Sequence, residues 1–314
     1  MPGDSERRAP SAADALGRGR PGAAASLAPG LLSALAFGLA TPATKVVFRG
    51  VPSAFAGAWL YLASGIGLSA VLALRRGPRE RALERRDVPW LVSATVSGGV
   101  VAPYAYARGV GENPALLASL LLNLEVVFTA VLAAAFFGER IGGRRRAGVG
   151  LVAAGGAACA ALTAESAGGE ATLAGCLWTA LACLGWALDN NLTHRIASKD
   201  AVAIARWKGL AGCGAALAIA WAMGSWPTET GARVWAGGAL VGIVGFGLSL
   251  ALFIRSLRAI GAARTSAVFG TAPFLGALAS AAVLRESLSP WLFAAGAAMA
   301  AGVALATVEP RAKG

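Results

Sequence analysis

The 314-residue chain is 56% hydrophobic and only 14% charged, where a soluble globular domain carries about 25% charged residues. That deficit excludes an ordinary soluble domain and places the chain among membrane proteins. Its 28 Lys+Arg against 16 Asp+Glu leave a net charge of +12. The basic residues fall in short clusters between apolar runs, which serves orientation in a bilayer and excludes nucleic acid as a partner.

Residues 1–25 are polar and rich in Arg, Pro and Ala, and are expected to form a disordered cytoplasmic tail. The run that follows, AASLAPGLLSALAFGLATPA, has the look of a cleavable leader. The internal repeat described below needs it as a first helix, so it is read as retained. A membrane helix takes about 20 mostly apolar residues. On that measure spans are predicted over 28–47, 54–74, 89–107, 115–137, 147–163, 171–196, 202–223, 234–254, 262–284 and 290–308. The connections are short, so any function resides in the membrane part. Glycines within these runs, such as Gly238 and Gly242 or Gly155 and Gly156, allow close helix approach. Trp90, Trp226, Trp235 and Trp291 lie near predicted ends, as interfacial aromatic belts prefer.

All but five of the 28 Lys and Arg residues fall on the tails and the even-numbered loops; the exceptions are Lys45, Arg49, Arg108, Arg233 and Arg285. The run RRGPRERALERRD (75–87) alone carries six. By the positive-inside rule both termini are cytoplasmic, in what is expected to be a bacterial inner membrane.

Shifting the chain by 147 residues lays one half on the other. Arg108 falls on Arg255, Ala115 on Ala262, Ser119 on Ser266, and Glu139 on Glu286, with FFGERI matching VLRESL at the ends of long apolar runs. Five spans per half is an odd number, so the second half must insert upside down. The expected fold is an all-α integral membrane protein of ten transmembrane helices in two inverted five-helix repeats, 28–163 and 171–308. Inverted repeats of this kind are a plan of secondary transporters, with the substrate site near the midplane between halves.

The segments ALLASLLLNLEVVFTAVLAAAFFGERI and GAARTSAVFGTAPFLGALASAAVLRESL resemble the hallmark segments of the drug/metabolite transporter superfamily, the type with two EamA domains. The resemblance spans about 28–308. The family's Pro thirteen residues before the Glu is kept as Pro273 and replaced by Val126 in the first half. Its Arg at the start of the second helix is matched by Arg206, while Trp59 stands in the first half. The resemblance implies ten helices and movement of small metabolites, often outward, without naming a substrate.

The stretch WALDNNLTHR (186–195) sets Asp189, Asn190 and Asn191 beside an uncharged run. With a shift of 149, Phe37 falls on Trp186, Thr41 on Asn190, Lys45 on His194, and Ala40 on Asp189. Ala40 lies well inside an apolar run, so Asp189 is read as intramembrane. An Asp at a helix centre costs about 2.5–3.5 kcal/mol on insertion scales, and such residues face a bundle interior or a cavity. Trp186, Asp189, Asn190 and Thr193 share one helical face. With Phe37 and Thr41 on the related helix, and Asn123, they are the candidate substrate-binding residues. A structural reading stands beside this one. Asp189 and Lys208 lie at similar depth, roughly 10 Å in at 1.5 Å per residue, and could simply neutralise each other.

Glu125, in LLNLEVVF, is the second intramembrane acid. A proton-coupling role, alone or with Asp189, stands against a plain interhelical hydrogen bond. Tyr104 and Tyr106 fit an interfacial belt or an outer vestibule, and Glu139 and Glu286 fit capping or loop pairing. Arg206 is shallow enough to snorkel.

The scattered Cys159, Cys176, Cys183 and Cys213, with the single His194, offer no metal-ligand set, and no Walker motif occurs. No cofactor, metal or enzymatic activity is expected. The function expected is a secondary transporter, an exporter of a small metabolite or drug-like solute by alternating access. A membrane enzyme acting on lipids and a passive channel are the rivals. The expected partners are the solute, membrane lipid and, as an assembly the sequence allows, a second copy in a homodimer.

Overall fold

The computed structural model describes residues 23–75, 80–137, 142–165, 172–222, 224–227, 231–260, 265, 268–287 and 289–307. Residues 1–22 of the tail expected over 1–25, and Glu139, lie outside the described residues, while residues 23–25 of that tail are helical and open the first helix. Within them the chain is helical and has no strand. The helices are α1 (Ala23–Val47), α2 (Ser53–Leu74), α3 (Arg85–Glu112), α4 (Ala115–Phe136) and α5 (Gly143–Glu165), then α6 (Leu173–His194), α7 (Ala201–Ala222), α8 (Arg233–Ser256), α9 (Ala272–Leu284) and α10 (Pro290–Thr307).

Six of them, α1, α2, α3, α4, α7 and α8, are long and apolar enough to cross a membrane, and α9 and α10 are shorter apolar helices. This is a multi-pass membrane protein. Arg144, Arg145 and Arg146 open α5, and Asp189, Asn190, Asn191 and His194 close α6, which dilutes the apolar content of both. Large apolar side chains cover the outside, among them Phe136, Trp221, Leu278, Val283 and Phe293. That is the surface lipid requires.

The helix ends explain themselves from the sequence. Proline stands in the first turn of α9 and α10 and, in α3, at the start of the α-helical stretch that follows the 3-10 turn Arg85–Asp87, where its missing N–H costs little. Thr172 caps α6 by accepting from Gly175 N at 2.9 Å, and Asp200 Oδ1 caps α7 by accepting from Val202 N and Ala203 N. The N-terminus of α4 is capped from the other half, where the Glu286 carboxylate accepts from Ala115 N at 2.9 Å and Leu116 N at 2.7 Å. Glu286 thus does the capping its position suggested.

The helix contacts form a two-fold pattern. The extensive pairs α2–α7, α5–α10 and α4–α9 map onto themselves when the halves are exchanged, while α1–α8 maps onto α3–α6 and α1–α9 onto α4–α6. Small residues make these seams. A Cβ on Gly212 of α7 would lie 2.6 Å from the Gly99 carbonyl oxygen of α3. The same repeat shows in local geometry: α3 widens to a π-helix over Val96–Val101 and α8 over Gly242–Leu248. The 147-residue shift lays the first stretch within the second.

The two ends of the bundle are fastened differently. At the end bearing the basic loops, Arg75 pairs with Asp200 at 2.8 Å and Glu80 at 3.2 Å, and Lys199 pairs with Glu84 and Asp87. The hydrogen bond from Lys199 holds the Glu84 carboxyl below the usual range, and the Lys199 ammonium is pushed up chiefly by Glu84 in return. At the opposite end Lys45 Nζ donates to the carbonyls of Val110 at 2.8 Å and Asn113 at 2.7 Å, closing the C-terminus of α3. Beside it, Phe55, Trp59, Trp226 and Trp235 form an edge-to-face cluster.

A candidate substrate cavity between the halves

Asp189, Asn190 and Asn191 of WALDNNLTHR each have their own partner. Asp189 is 3% exposed and Lys208 is 1% exposed. The Lys208 ammonium donates to both Asp189 oxygens, at 2.6 and 2.5 Å, and Thr193 Oγ1 adds a third bond at 2.9 Å. Asn190 Nδ2 donates to Glu125 Oε1 at 2.6 Å. Asn191 Nδ2 turns back to its own helix at Ala187 O, 2.8 Å, and reaches Thr129 O of α4 at 3.4 Å. Asp189 fits against α3 only because Gly98 has no side chain; a Cβ there would lie 2.1 Å from Asp189 Oδ2. The equivalent glycine, Gly245, packs the same way on Ala40, the residue equivalent to Asp189. The buried charge is therefore a feature of one half set into a packing shared by both.

Glu125 owes its position to an interruption of α4. At Leu122 and Asn123 the helix tightens, with Asn123 N bonded to Leu120 O and the Asn123 amide donating to the same carbonyl at 2.9 Å. The helix resumes at Leu124, so Glu125 stands in the first turn of a new stretch. A carboxylate suits the positive end of that stretch.

These groups border a small cavity of about 60 Å³. From the first half come Phe37, Tyr61 and Glu125. Trp186, Asp189 and Asn190 of α6 supply the opposite wall. Phe246, Ser249, Leu250 and Phe253 follow at one helical face of α8, and Phe269 precedes α9. The rings interlock. Phe37 packs on Trp186 at 5.7 Å, on Phe246 at 5.8 Å and on Phe269 at 5.4 Å. Trp186 Nε1 donates to the Tyr61 hydroxyl at 3.0 Å. From Phe246 to Phe253 the lining runs toward the end bearing the basic loops. Toward the other end the way is filled by Tyr106, whose hydroxyl meets Thr41 at 3.2 Å.

Of the residues singled out from the sequence, the cavity brings together Phe37, Glu125, Trp186, Asp189 and Asn190. Thr41 and Thr193 are buried behind it, one on Tyr106 and the other on Asp189. Asn123 is 1% exposed and sits in the break of α4, off the cavity. Tyr106 is 1% exposed, buried among Trp186 and Phe246 rather than at an interface. Sequence reasoning missed Tyr61 and the α8 face. The signal was there in the spacing of Phe246, Ser249, Leu250 and Phe253, but a cavity face and a lipid face share it.

Residues 25–159 and 173–308 each match the EamA-like transporter family. The chain belongs to that family. An uncharacterized transporter of Methanothermobacter thermautotrophicus is 26% identical over 285 residues, covering 85% of this chain and 81% of that one. A crystal structure of a protein superposes with a TM-score of 0.64 at 20% identity, covering 90% of this chain and 97% of that chain. In this EamA-like transporter the family's Glu at position 286 is the cap of α4, and Pro273 opens α9. Arg206 stacks its guanidinium over Trp207 at 4.6 Å.

Proposed function

We propose that this EamA-like protein is a secondary transporter of the bacterial inner membrane, exporting a small metabolite or drug-like solute by alternating access. The observation that carries the reading is the cavity itself. It lies between two halves packed with two-fold correspondence, and it holds an acid, Glu125, tethered only by Asn190 among the described residues. Ten spans in two inverted repeats, with both termini cytoplasmic, accord with the contact pattern and with the distribution of basic residues. On that orientation the lining runs toward the cytoplasm, so this conformation is the one that loads solute from inside.

Glu125 is the proposed proton-coupling residue. An intramembrane carboxyl facing a cavity is the group a proton relay uses. The amide of Glu125→Gln still accepts from Asn190 but binds no proton. In proteoliposomes a pH gradient should drive solute accumulation by the wild type and not by this variant, a drop of at least about tenfold. The variant should still exchange labelled for unlabelled solute. Gradient-driven accumulation by Glu125→Gln at the wild-type rate would rule out this coupling role. Flux indifferent to any gradient in the wild type would favour a passive channel.

A further inference from the structure

We propose that the solute is a small amphipathic organic cation, an ammonium group carried on an aromatic or flat apolar body. This rests on the reading of the cavity as the transport site and goes beyond it to the ligand.

The inference comes from the balance of charge at the cavity wall. Two carboxylates border it, Glu125 and Asp189. The ammonium of Lys208, on α7, is committed to Asp189 through both oxygens, and Thr193 adds to them. Asp189 is thereby neutralised and withheld. No cation pairs directly with Glu125 among the described residues: the charge of Lys208 reaches it only alongside that of Asp189, which opposes and outweighs it there, and Asn190 donates to one of its oxygens. α6, packed on this stretch of α4, brings Asp189, Asn190 and the Cys183 thiol toward Glu125, and the cavity walls beyond add Tyr61 from α2 and Phe246, Ser249, Leu250 and Phe253 from α8. Lys45 of α1 is engaged with the α3 carbonyls at the far end. The ionised cavity therefore carries one uncompensated negative charge in a setting where a lone charge is costly.

The remaining wall decides what else the ligand must be. Ser249 spends its hydroxyl on the Ser33 carbonyl at 2.9 Å, and the Tyr61 oxygen accepts from Trp186, leaving the Tyr61 O–H as a donor toward a ligand. That leaves too few polar partners for a sugar or another polyol, whose hydroxyls would be stripped of water without replacement. An anion would face the Glu125 carboxylate. A cation meets Glu125, and the faces of Trp186, Tyr61 and Phe37 suit both an ammonium and an apolar ring. Proton and ligand are then exclusive occupants of Glu125, which is the condition for exchanging one for the other across the membrane.

The test is a charge series on one body: phenethylamine, phenethyl alcohol and 3-phenylpropionate, titrated calorimetrically into purified full-length protein. The amine should bind at least about tenfold more tightly than the other two. Its affinity should fall as the pH is lowered into the mildly acidic range, where the amine itself stays charged. Glu125→Gln, checked for folding by gel filtration, should lose about tenfold in amine affinity, keep its weak alcohol binding, and lose the pH dependence. Equal or tighter binding of the alcohol or the propionate overturns the proposal, as does an amine affinity unchanged in Glu125→Gln, or no binding by any of the three. The transport reading fails separately. Protein-dependent flux of the alcohol or the propionate into proteoliposomes would remove the cation class and keep the transporter. Tight amine binding with no protein-dependent flux would keep the class and remove the transporter.

Discussion

Lys208→Met should destabilise the protein by about 3–5 kcal/mol, the cost of leaving a buried charge without its partner. Asp189 would then sit 3% exposed with only Thr193 to answer it. Asp189→Asn should cost a similar amount, because it strands the ammonium of a residue that is 1% exposed. The double variant Asp189→Asn/Lys208→Met should recover most of the loss, since two neutral side chains of like volume replace the pair. The measurement is the thermal midpoint in detergent for all four proteins, read as a double-mutant cycle. Single variants within about 1 kcal/mol of the wild type would mean that the pair is far more hydrated than its burial indicates. The double variant also separates the two roles open to Asp189. If it is stable and transports normally, Asp189 serves the packing of α6 on α7. If it is stable and inactive, the charge pair serves the cavity.

A smaller but still large loss is expected from Gly209→Ala on α7. The added Cβ would lie 2.7 Å from Gly65 N, 2.8 Å from Gly65 Cα and 2.8 Å from Tyr61 O, all backbone atoms of α2. Backbone cannot step aside as a side-chain tip does, so α2 and α7 must separate. Overpacking of this kind costs about 1–3 kcal/mol. The separation also shifts Tyr61 on one side of the seam and Lys208 on the other. Gly214→Ala, five residues on, is the control. Nothing lies within 4 Å of its Cβ, and replacing a helical glycine there should stabilise by about 1 kcal/mol. Opposite signs from the same substitution on one helix would establish the α2–α7 seam. Equal effects would argue against it.

Much of this architecture was legible in the sequence because lipid imposes one rule on every helix. Long apolar runs, the 147-residue correspondence and the basic loops gave the helices and the two halves. The depth of Asp189 followed from its repeat mate Ala40, and the partner at equal depth, Lys208, followed from the rise of a helix. The pairing of Asn190 with Glu125 did not follow, because nothing in either segment says how α4 and α6 are turned about their axes. Phe253 and Phe269 line the cavity while Phe136 and Phe293 face outward, and the four have the same kind of apolar neighbours in sequence. In a soluble protein the polar face tells inside from outside. Here both faces are apolar, and the distinction vanishes from the composition. The π stretches were hidden for the same reason, since VSGGVV and GIVGFGL have no polar residue pattern that could reveal a change of period.

Those two stretches carry a consequence for how a helix is phased. Each residue turns an α-helix by about 100°, and a π turn takes up an additional residue, a device found often at functional sites. The segments on either side of Val96–Val101 are therefore set at rotations that a regular helix could not combine. The same holds on either side of Gly242–Leu248. Deleting one residue from the second stretch would rotate Phe253 out of the cavity while leaving the helix long enough to span. Deleting one from the first would swing Tyr106 off Thr41. Both halves thus keep slack at the same depth, next to the buried Asp189 in one and next to Phe246 in the other. The orientation of the cavity wall is held by a count of residues as much as by any contact.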